Sequence, residues 1–334
     1  MDTPKSKKEL KKIIVMIPAY NEESNIGKVI NNIPQKINDS GVVKTLVLDD
    51  GSTDKTVEVA KKAGADYILT SHYNRGLGIN FKRGINKALS LGADIIVNID
   101  ADGQFNPDDI YKLIRPILYN EADMVTATRF MKPELTKNMP WLKKWGNKRF
   151  TNLINRITGQ KFTDTQCGYR AYSREAALQL NLFGKFTYTQ EVFIDLASKG
   201  LKIKEVPVEV IYHKERDSKI SGNLKRYGFK SLGIIARATR DTQPMTFFGL
   251  PAMIIFILGF IGGAFSFSYW FLYHATTPVR TLFNVSVFFM IAGIALGVLA
   301  LVADMLKTLK LNQEQIIYML KKEQLGEKNW NGGE

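Results

Sequence analysis

Residues 95–105 read IIVNIDADGQF. A β-branched apolar run ends in Asp100, Asp102 and Gln104, three oxygen-bearing side chains at alternate positions. Alternate side chains of an extended segment project to the same side, so the three converge if the chain stays extended past Asp100. Two readings fit. Asp at a strand end often starts a turn by bonding nearby backbone groups. The same trio could hold a divalent cation, because Mg2+ and Mn2+ take oxygen ligands and usually recruit one or two carboxylates plus substrate phosphates.

On either side of this stretch, short apolar runs alternate with helical patterns. IIVMI, TLVLD, ADYILT, ADIIVNI and ADMVTAT are the runs; SNIGKVINNIPQKI and TDKTVEVAKKAG are among the helical stretches. Strand, helix, strand in this rhythm predicts a Rossmann-like α/β domain over 13–223, with a mostly parallel sheet covered by helices on both faces. In such sheets ligands bind at the carboxyl ends of the strands. PAYNEE follows the first run, DDGSTD the second and DADGQ the fourth. Three acidic clusters at one sheet edge repel one another unless a cation or a donor-rich ligand offsets them.

Composition narrows the partners. Lys and Arg number 46 against 32 Asp and Glu, a net charge of +14 over 334 residues. A basic chain fits nucleic acid, an anionic membrane surface or a phosphorylated substrate. No zinc-type Cys/His spacing, helix-turn-helix or RNP-like pattern occurs, so nucleic acid is not expected. Cys167 is the single cysteine, which excludes an intrachain disulfide, and His72, His213 and His274 are too scattered for a His-based zinc site.

The region after 242 is of a different kind. No Asp, Glu, Lys or Arg occurs from Thr242 to Val279, nor from Thr281 to Ala303. Each stretch exceeds the roughly 20 apolar residues that cross a bilayer. The expectation is a transmembrane hairpin within 243–306, with spans of about 246–273 and 281–303 joined by HATTPVR. Lys225, Arg226, Lys230, Arg237 and Arg240 precede it, and Lys307 and Lys310 follow. The positive-inside rule then places both chain ends in the cytoplasm of a two-span membrane protein. The basic tail 1–12 lacks the apolar core of a signal peptide, residues 224–242 read as an amphipathic juxtamembrane helix, and 307–334 as a cytoplasmic tail.

At this point the motifs become specific. PAYNEE (18–23), VLDDGSTD (47–54), NRGLG (74–78), DADGQ (100–104), TRF (128–130), DTQCGYR (164–170), EVPV (205–208) and DSK (217–219) stand in the order seen in family 2 glycosyltransferases of GT-A fold. Over about Ile13 to Ile220 the chain resembles the polyprenyl-phosphate sugar synthases, the dolichyl-phosphate mannose synthase group. The resemblance implies a nucleotide-diphosphate sugar donor, Mg2+ or Mn2+, and a polyprenyl (dolichyl) phosphate acceptor at the bilayer; a homo-oligomer is left open. Pro18, Ala19, Tyr20 and Glu22 match positions lining the nucleoside pocket, and Asp50 the residue that reads the base. Asp100, Asp102 and Gln104 match the metal motif. Arg129 matches a basic position assigned to the acceptor phosphate, and Ser218 with Lys219 the donor diphosphate. Lys144 and Arg149 are further acceptor-phosphate candidates, with a solvated basic face as the alternative.

A phosphate monoester is mostly dianionic at neutral pH, with a second pKa of about 6. A dedicated general base is then largely superfluous, and Asp164 is expected to orient Arg170 or Gln166 rather than to take a proton. Direct displacement would invert the anomeric centre, as in the family. Departures from the pattern are His213, where Arg is usual, and Asn80 and Phe81, where small or aliphatic residues are usual. The DGQ form also occurs in archaeal-type enzymes that use UDP-sugars, so the resemblance leans to UDP-N-acetylglucosamine or UDP-glucose over GDP-mannose. A processive polysaccharide synthase would carry Q-x-x-R-W and a pyrophosphorylase G-x-G-T-R; neither occurs. A silent scaffold or sugar-nucleotide sensor would not need D-x-D-x-Q intact.

Overall fold

The computed structural model describes residues 10–37, 41–136, 139, 141–182, 188–211, 233, 236, 237 and 239–326. His213, Ser218, Lys219 and most of the expected amphipathic segment 224–242 lie outside these residues. The chain forms two compact units, Met1–Gly228 with Ile317–Glu334, and Phe229–Ile316.

The first unit is built on one sheet. Its strands are β1 (Lys11–Ala19), β2 (Lys36–Ile37), β3 (Gly41–Asp49), β4 (Tyr67–Leu69), β5 (Ile95–Asn98), β6 (Met124–Thr128), β7 (Arg170–Ser173) and β8 (Ile203–Pro207). The order across the sheet is β2-β3-β1-β5-β7-β6-β8, with β4 added on β3. β1, β3, β4, β5, β6 and β8 run one way, and β2 and β7 run against them. The mostly parallel sheet expected from the sequence is therefore present, together with an antiparallel strand inserted between β5 and β6. Ile13 to Ile17 are all 0% exposed, as befits a strand covered on both faces. Each such side chain contributes about 1.5–3 kcal/mol relative to exposure.

Helices α1 (Ile26–Asn32), α2 (Thr56–Lys62), α3 (Leu77–Ser90), α4 (Ile110–Leu118), α5 (Trp141–Thr158), α6 (Arg174–Gln179) and α7 (Thr189–Ser198) cover the sheet. Ile13, Val15, Ile17, Val97 and Val125 pack with Ile26 and Val29 of α1 and with Ile110, Leu113 and Ile114 of α4. On the other face α3 lies close to β3, and Gly84 permits it: an added Cβ would collide with Leu48.

In the second unit, α8 (Leu250–Tyr273) and the start of α9 (Arg280–Gly326) are long and apolar enough to cross a membrane. α8 ends where His274 turns left-handed, at φ 46°. The two helices approach closely at small residues. A Cβ on Gly259 would sit 2.7 Å from Met290 N and Ser286 O, and one on Gly293 2.8 Å from Phe256 N. Small residues that let backbones approach drive helix pairing in lipid. Phe271 and Phe288 point outward, which suits hydrocarbon rather than water. The chain is accordingly read as a membrane protein. α9 continues beyond the apolar stretch, and its last turns belong to the first unit, where Tyr318 donates to Glu175 Oε2 (3.2 Å) and Lys321 to the Leu180 carbonyl (3.1 Å).

Candidate active site

The carboxyl ends of β1, β3, β5 and β6 and the start of β7 meet at one edge of the sheet, and the polar motifs fall there. The first pair of loops interlocks. Asn21 N–H donates to Ser52 Oγ (3.0 Å), Thr53 N–H to Asn21 Oδ1 (2.8 Å), Glu22 N–H to Thr56 Oγ1 (2.8 Å) and Lys55 N–H to Glu23 Oε2 (2.9 Å). Asp54 serves the start of α2, accepting Thr56 N–H at 3.0 Å. Asp50 is buried and accepts backbone N–H groups from Arg75 (3.0 Å) and Gly76 (2.9 Å). Gly51, at φ 77°, lets the 73–76 loop close on this pair: its Cβ would lie 2.6 Å from the Tyr73 carbonyl carbon. Ala19 is buried, Pro18 partly buried and Tyr20 exposed at the rim.

One strand over, Asp100 and Asp102 follow β5. Asp100 keeps a little surface, yet its carboxyl is enclosed: burial first, and the Asp102 carboxylate second, push it up to about 7. Arg170 and Arg129 oppose that rise, and Glu22 adds to it. The Asp100 carboxylate lies against Gly168, where a Cβ would be 3.0 Å from Oδ2. Asp102 Oδ1 accepts the Gln104 N–H (3.1 Å), and the Gln104 carbonyl accepts Ile211 N–H (2.9 Å), so Gln104 is held through its backbone. Turn geometry and closely spaced carboxylates thus coexist. Among the described residues no set of three His, Cys, Asp or Glu forms a metal site. Two neighbouring carboxylates, the Asp100 one enclosed and Asp102 partly buried, are the share expected for a hard cation whose other ligands come from phosphates and water, and their mutual repulsion fits one.

The third group follows β6. Arg129 Nε donates to Asp164 Oδ2 (2.6 Å) and Nη2 to Oδ1 (3.0 Å), a bidentate pair. Asn147 Nδ2 (2.8 Å) and Gln166 N–H (3.1 Å) also donate to Oδ1. Burial alone would raise the Asp164 carboxyl; the Arg129 guanidinium and these donors hold it below the usual carboxylate range. Glu205 in turn accepts the N–H groups of Thr163 (2.8 Å to Oε2) and Asp164 (2.9 Å to Oε1), fixing the loop from β8. The partner of Asp164 is therefore Arg129, with the Gln166 backbone, and not Arg170. Arg170 is pinned within its own loop, donating to the carbonyls of Cys167 (2.8 Å) and Thr165 (3.2 Å). Lys144 and Arg149, the acceptor-phosphate candidates on α5, are exposed; Lys144 reaches Thr136 Oγ1 (3.1 Å) and Arg149 stacks over Trp145 at 5.4 Å. α5 brings Asn147, rather than either of them, to Asp164.

Loop 164–170 thus connects two centres, placing Gly168 against Asp100 and Asp164 against Arg129. Cys167 inside it is buried, which pushes its thiol up to about 12 and excludes it as a nucleophile. Behind the acidic pair, Asn98 donates to the Gly168 carbonyl (3.0 Å) and to Tyr188 Oη (2.9 Å), and Tyr188 stacks on Phe81 at 3.7 Å. Asn80 donates to the Leu48 carbonyl (2.9 Å). The two unusual residues at 80 and 81 are thus core supports of the sheet edge. Asn98, Asn147 and Glu205 had no assigned role in the sequence reading; Asn98 at least carried a signal, as a polar residue inside a fully apolar run.

Residues 14–180 match the family described as Glycosyl transferase family 2. The chain belongs to that family and is a glycosyltransferase with a GT-A-type sheet. It is 37% identical over 221 residues to the UDP-N-acetylglucosamine–dolichyl-phosphate N-acetylglucosaminyltransferase of Methanococcus voltae, covering 60% of this chain and 86% of that one. It is 28% identical over 243 residues to the polyprenol monophosphomannose synthase of Mycolicibacterium smegmatis, covering 69% and 89%. Among solved structures, glucosyl-3-phosphoglycerate synthase of Mycobacterium tuberculosis, crystallised with Mn2+, UDP and phosphoglyceric acid, superposes with a TM-score of 0.54 at 22% identity, covering 69% of this chain and 78% of that one.

Proposed function

We propose that this enzyme transfers one sugar, with inversion, from a UDP-sugar to a polyprenyl (dolichyl) phosphate at the membrane surface. The observation that carries the reading is the convergence at one sheet edge of Asp50, the Asp100–Asp102 pair and the Arg129–Asp164 pair, tied by loop 164–170. UDP-N-acetylglucosamine is favoured as donor because the Methanococcus voltae relative is named for it. A GDP-mannose donor is the alternative, favoured by the mannose synthase relative.

In this reading the 18–22 loop and Asp50 receive the nucleoside. Each Asp50 oxygen already accepts one backbone N–H and keeps a lone pair for a base N–H donor. Asp100 and Asp102, with Gln104, would hold Mg2+ or Mn2+, which when bound supplies Lewis-acid neutralisation of the departing nucleotide diphosphate. Ser218 and Lys219 are assigned to the same diphosphate. Arg129 presents a planar fork suited to the acceptor phosphate, and Asp164 acts as the positioning residue that aims it. The acceptor oxygen attacks the anomeric carbon as the bond to the nucleotide diphosphate breaks. No proton has to be removed from a dianionic phosphate. Asp164 could not serve as a base in any case, since its oxygens are engaged and its pKa is lowered.

The experiment is incubation of membranes carrying the full chain with a panel of labelled UDP- and GDP-sugars, scoring label in chloroform-soluble lipid. Labelled lipid from a UDP-sugar supports the reading. Label from GDP-mannose alone replaces the donor, and no labelled lipid from any donor overturns the reaction.

A further inference from the structure

α5 carries two tryptophans where water would cover them. Trp141 is 75% exposed and Trp145, one turn on, is 55% exposed. Trp is on average a highly buried residue in folded proteins. The opposite side of the helix is buried through Asn147, Thr151 and Ile154. Lys144, Lys148 and Arg149 are exposed at spacings of three and four from the tryptophans, and the Arg149 guanidinium stacks over the Trp145 ring. The whole helix, WLKKWGNKRFTNLINRIT, contains no acidic residue. Met131, in the loop before it, is also exposed.

We propose that the exposed face of α5 docks on the headgroup region of an anionic bilayer, the tryptophans entering the interface and the basic residues engaging lipid phosphates. Indole is amphipathic and gathers at membrane–water boundaries, and basic side chains on the same face complement anionic lipid. The same chain carries two helices long and apolar enough to span a bilayer, so a bilayer rather than a soluble partner is the surface at hand. The buried side of the helix holds Asn147 on Asp164, so docking α5 would set the Arg129 centre beside the lipid headgroups. This gives Lys144 and Arg149 their place as contacts to headgroups in general.

The test uses the full chain in vesicles of phosphatidylcholine with and without phosphatidylglycerol. The chain has 4 tryptophans, at 141, 145, 270 and 330. In a Trp270→Phe/Trp330→Phe background only α5 reports. Lipids brominated near the top of the acyl chain should quench this emission, more strongly with phosphatidylglycerol present, and soluble acrylamide should quench it little. Emission untouched by brominated lipid but quenched by acrylamide would overturn the proposal. Emission shielded from both would also overturn it, showing protein over the face instead. A kinetic arm rests on the transfer reaction proposed above: Trp141→Ser/Trp145→Ser should raise KM several-fold for long-chain polyprenyl phosphate in vesicles and leave KM for a short, water-soluble isoprenyl phosphate unchanged. An equal rise for both acceptors would overturn the docking role. The fluorescence arm reads without turnover, so it stands or falls separately from the assigned reaction.

Discussion

Replacing Asp164 by Asn removes the charge that aims Arg129 while keeping the side chain's shape. The carboxylate is fully buried and accepts Nε at 2.6 Å and Nη2 at 3.0 Å from Arg129, plus Asn147 Nδ2 at 2.8 Å and Gln166 N–H at 3.1 Å. An amide offers one acceptor oxygen, so its NH2 must face a donor. Removing one partner of a buried pair costs about 3–5 kcal/mol. The Arg129 side chain is 17% exposed and can recover some hydration, which points to the lower end, about 3 kcal/mol. For a catalytic domain of this size that is a melting shift of roughly 6–12 °C. The assay is thermal unfolding of the full chain in detergent, with steady-state kinetics beside it. Acceptor KM should rise at least tenfold and donor KM should stay close to wild type. The pH dependence has a definite sign. The folded-state pKa of Asp164 is lowered, so its contribution is complete above the ordinary Asp value of about 3.9 and is lost as pH falls through the folded value. The wild-type advantage over Asp164→Asn should be constant between about pH 6 and 8 and shrink in acid. Equal melting temperatures at pH 7 with an unchanged acceptor KM would refute the positioning role, as would an advantage that grows on acidification.

Two glycines give further tests. Gly51→Ala forces a Cβ to within 2.6 Å of the Tyr73 carbonyl carbon at φ 77°. The left-handed conformation alone costs about 1–2 kcal/mol, so the melting temperature should fall and UDP affinity should drop at least tenfold by calorimetry. Gly168→Ala places a Cβ 3.0 Å from Asp100 Oδ2, a contact the carboxylate relieves by moving a few tenths of an ångström. Mn2+ affinity should weaken about tenfold, a change of ~1.4 kcal/mol, with the fold intact by circular dichroism; wild-type Mn2+ affinity would show that the close approach of Gly168 does not set the position of Asp100 in the cation site.

β1, β3, β5 and β6 were legible because each is mostly buried and reads as a largely apolar or β-branched run, as IIVMI and IIVN do. β7 and β8 were not: RAYS and IKEVP are short and carry charged residues whose burial depends on neighbours far along the chain. The three motif clusters were placed correctly at one edge because strand direction alone decides that. Pairings inside the edge were another matter. Asp164 lies 35 residues from Arg129 and 6 from Arg170, and sequence distance favours the wrong arginine. Only the register of β6 against β7, with Thr126 opposite Arg170, turns Arg129 onto the loop that carries Asp164. The start of α9 followed from its apolar stretch, whereas its continuation to Gly326 did not, because helix in 307–326 is amphiphilic and finds its partners on α6.

The proposed transfer depends on the carboxylates after β5 fastening a nucleotide diphosphate through a cation. Calorimetric titration of UDP into the full chain tests this with no turnover needed. UDP should bind with Mn2+ present, and fail to bind in EDTA or to the folded Asp102→Ala variant. Undiminished binding in EDTA, or to Asp102→Ala, would contradict it.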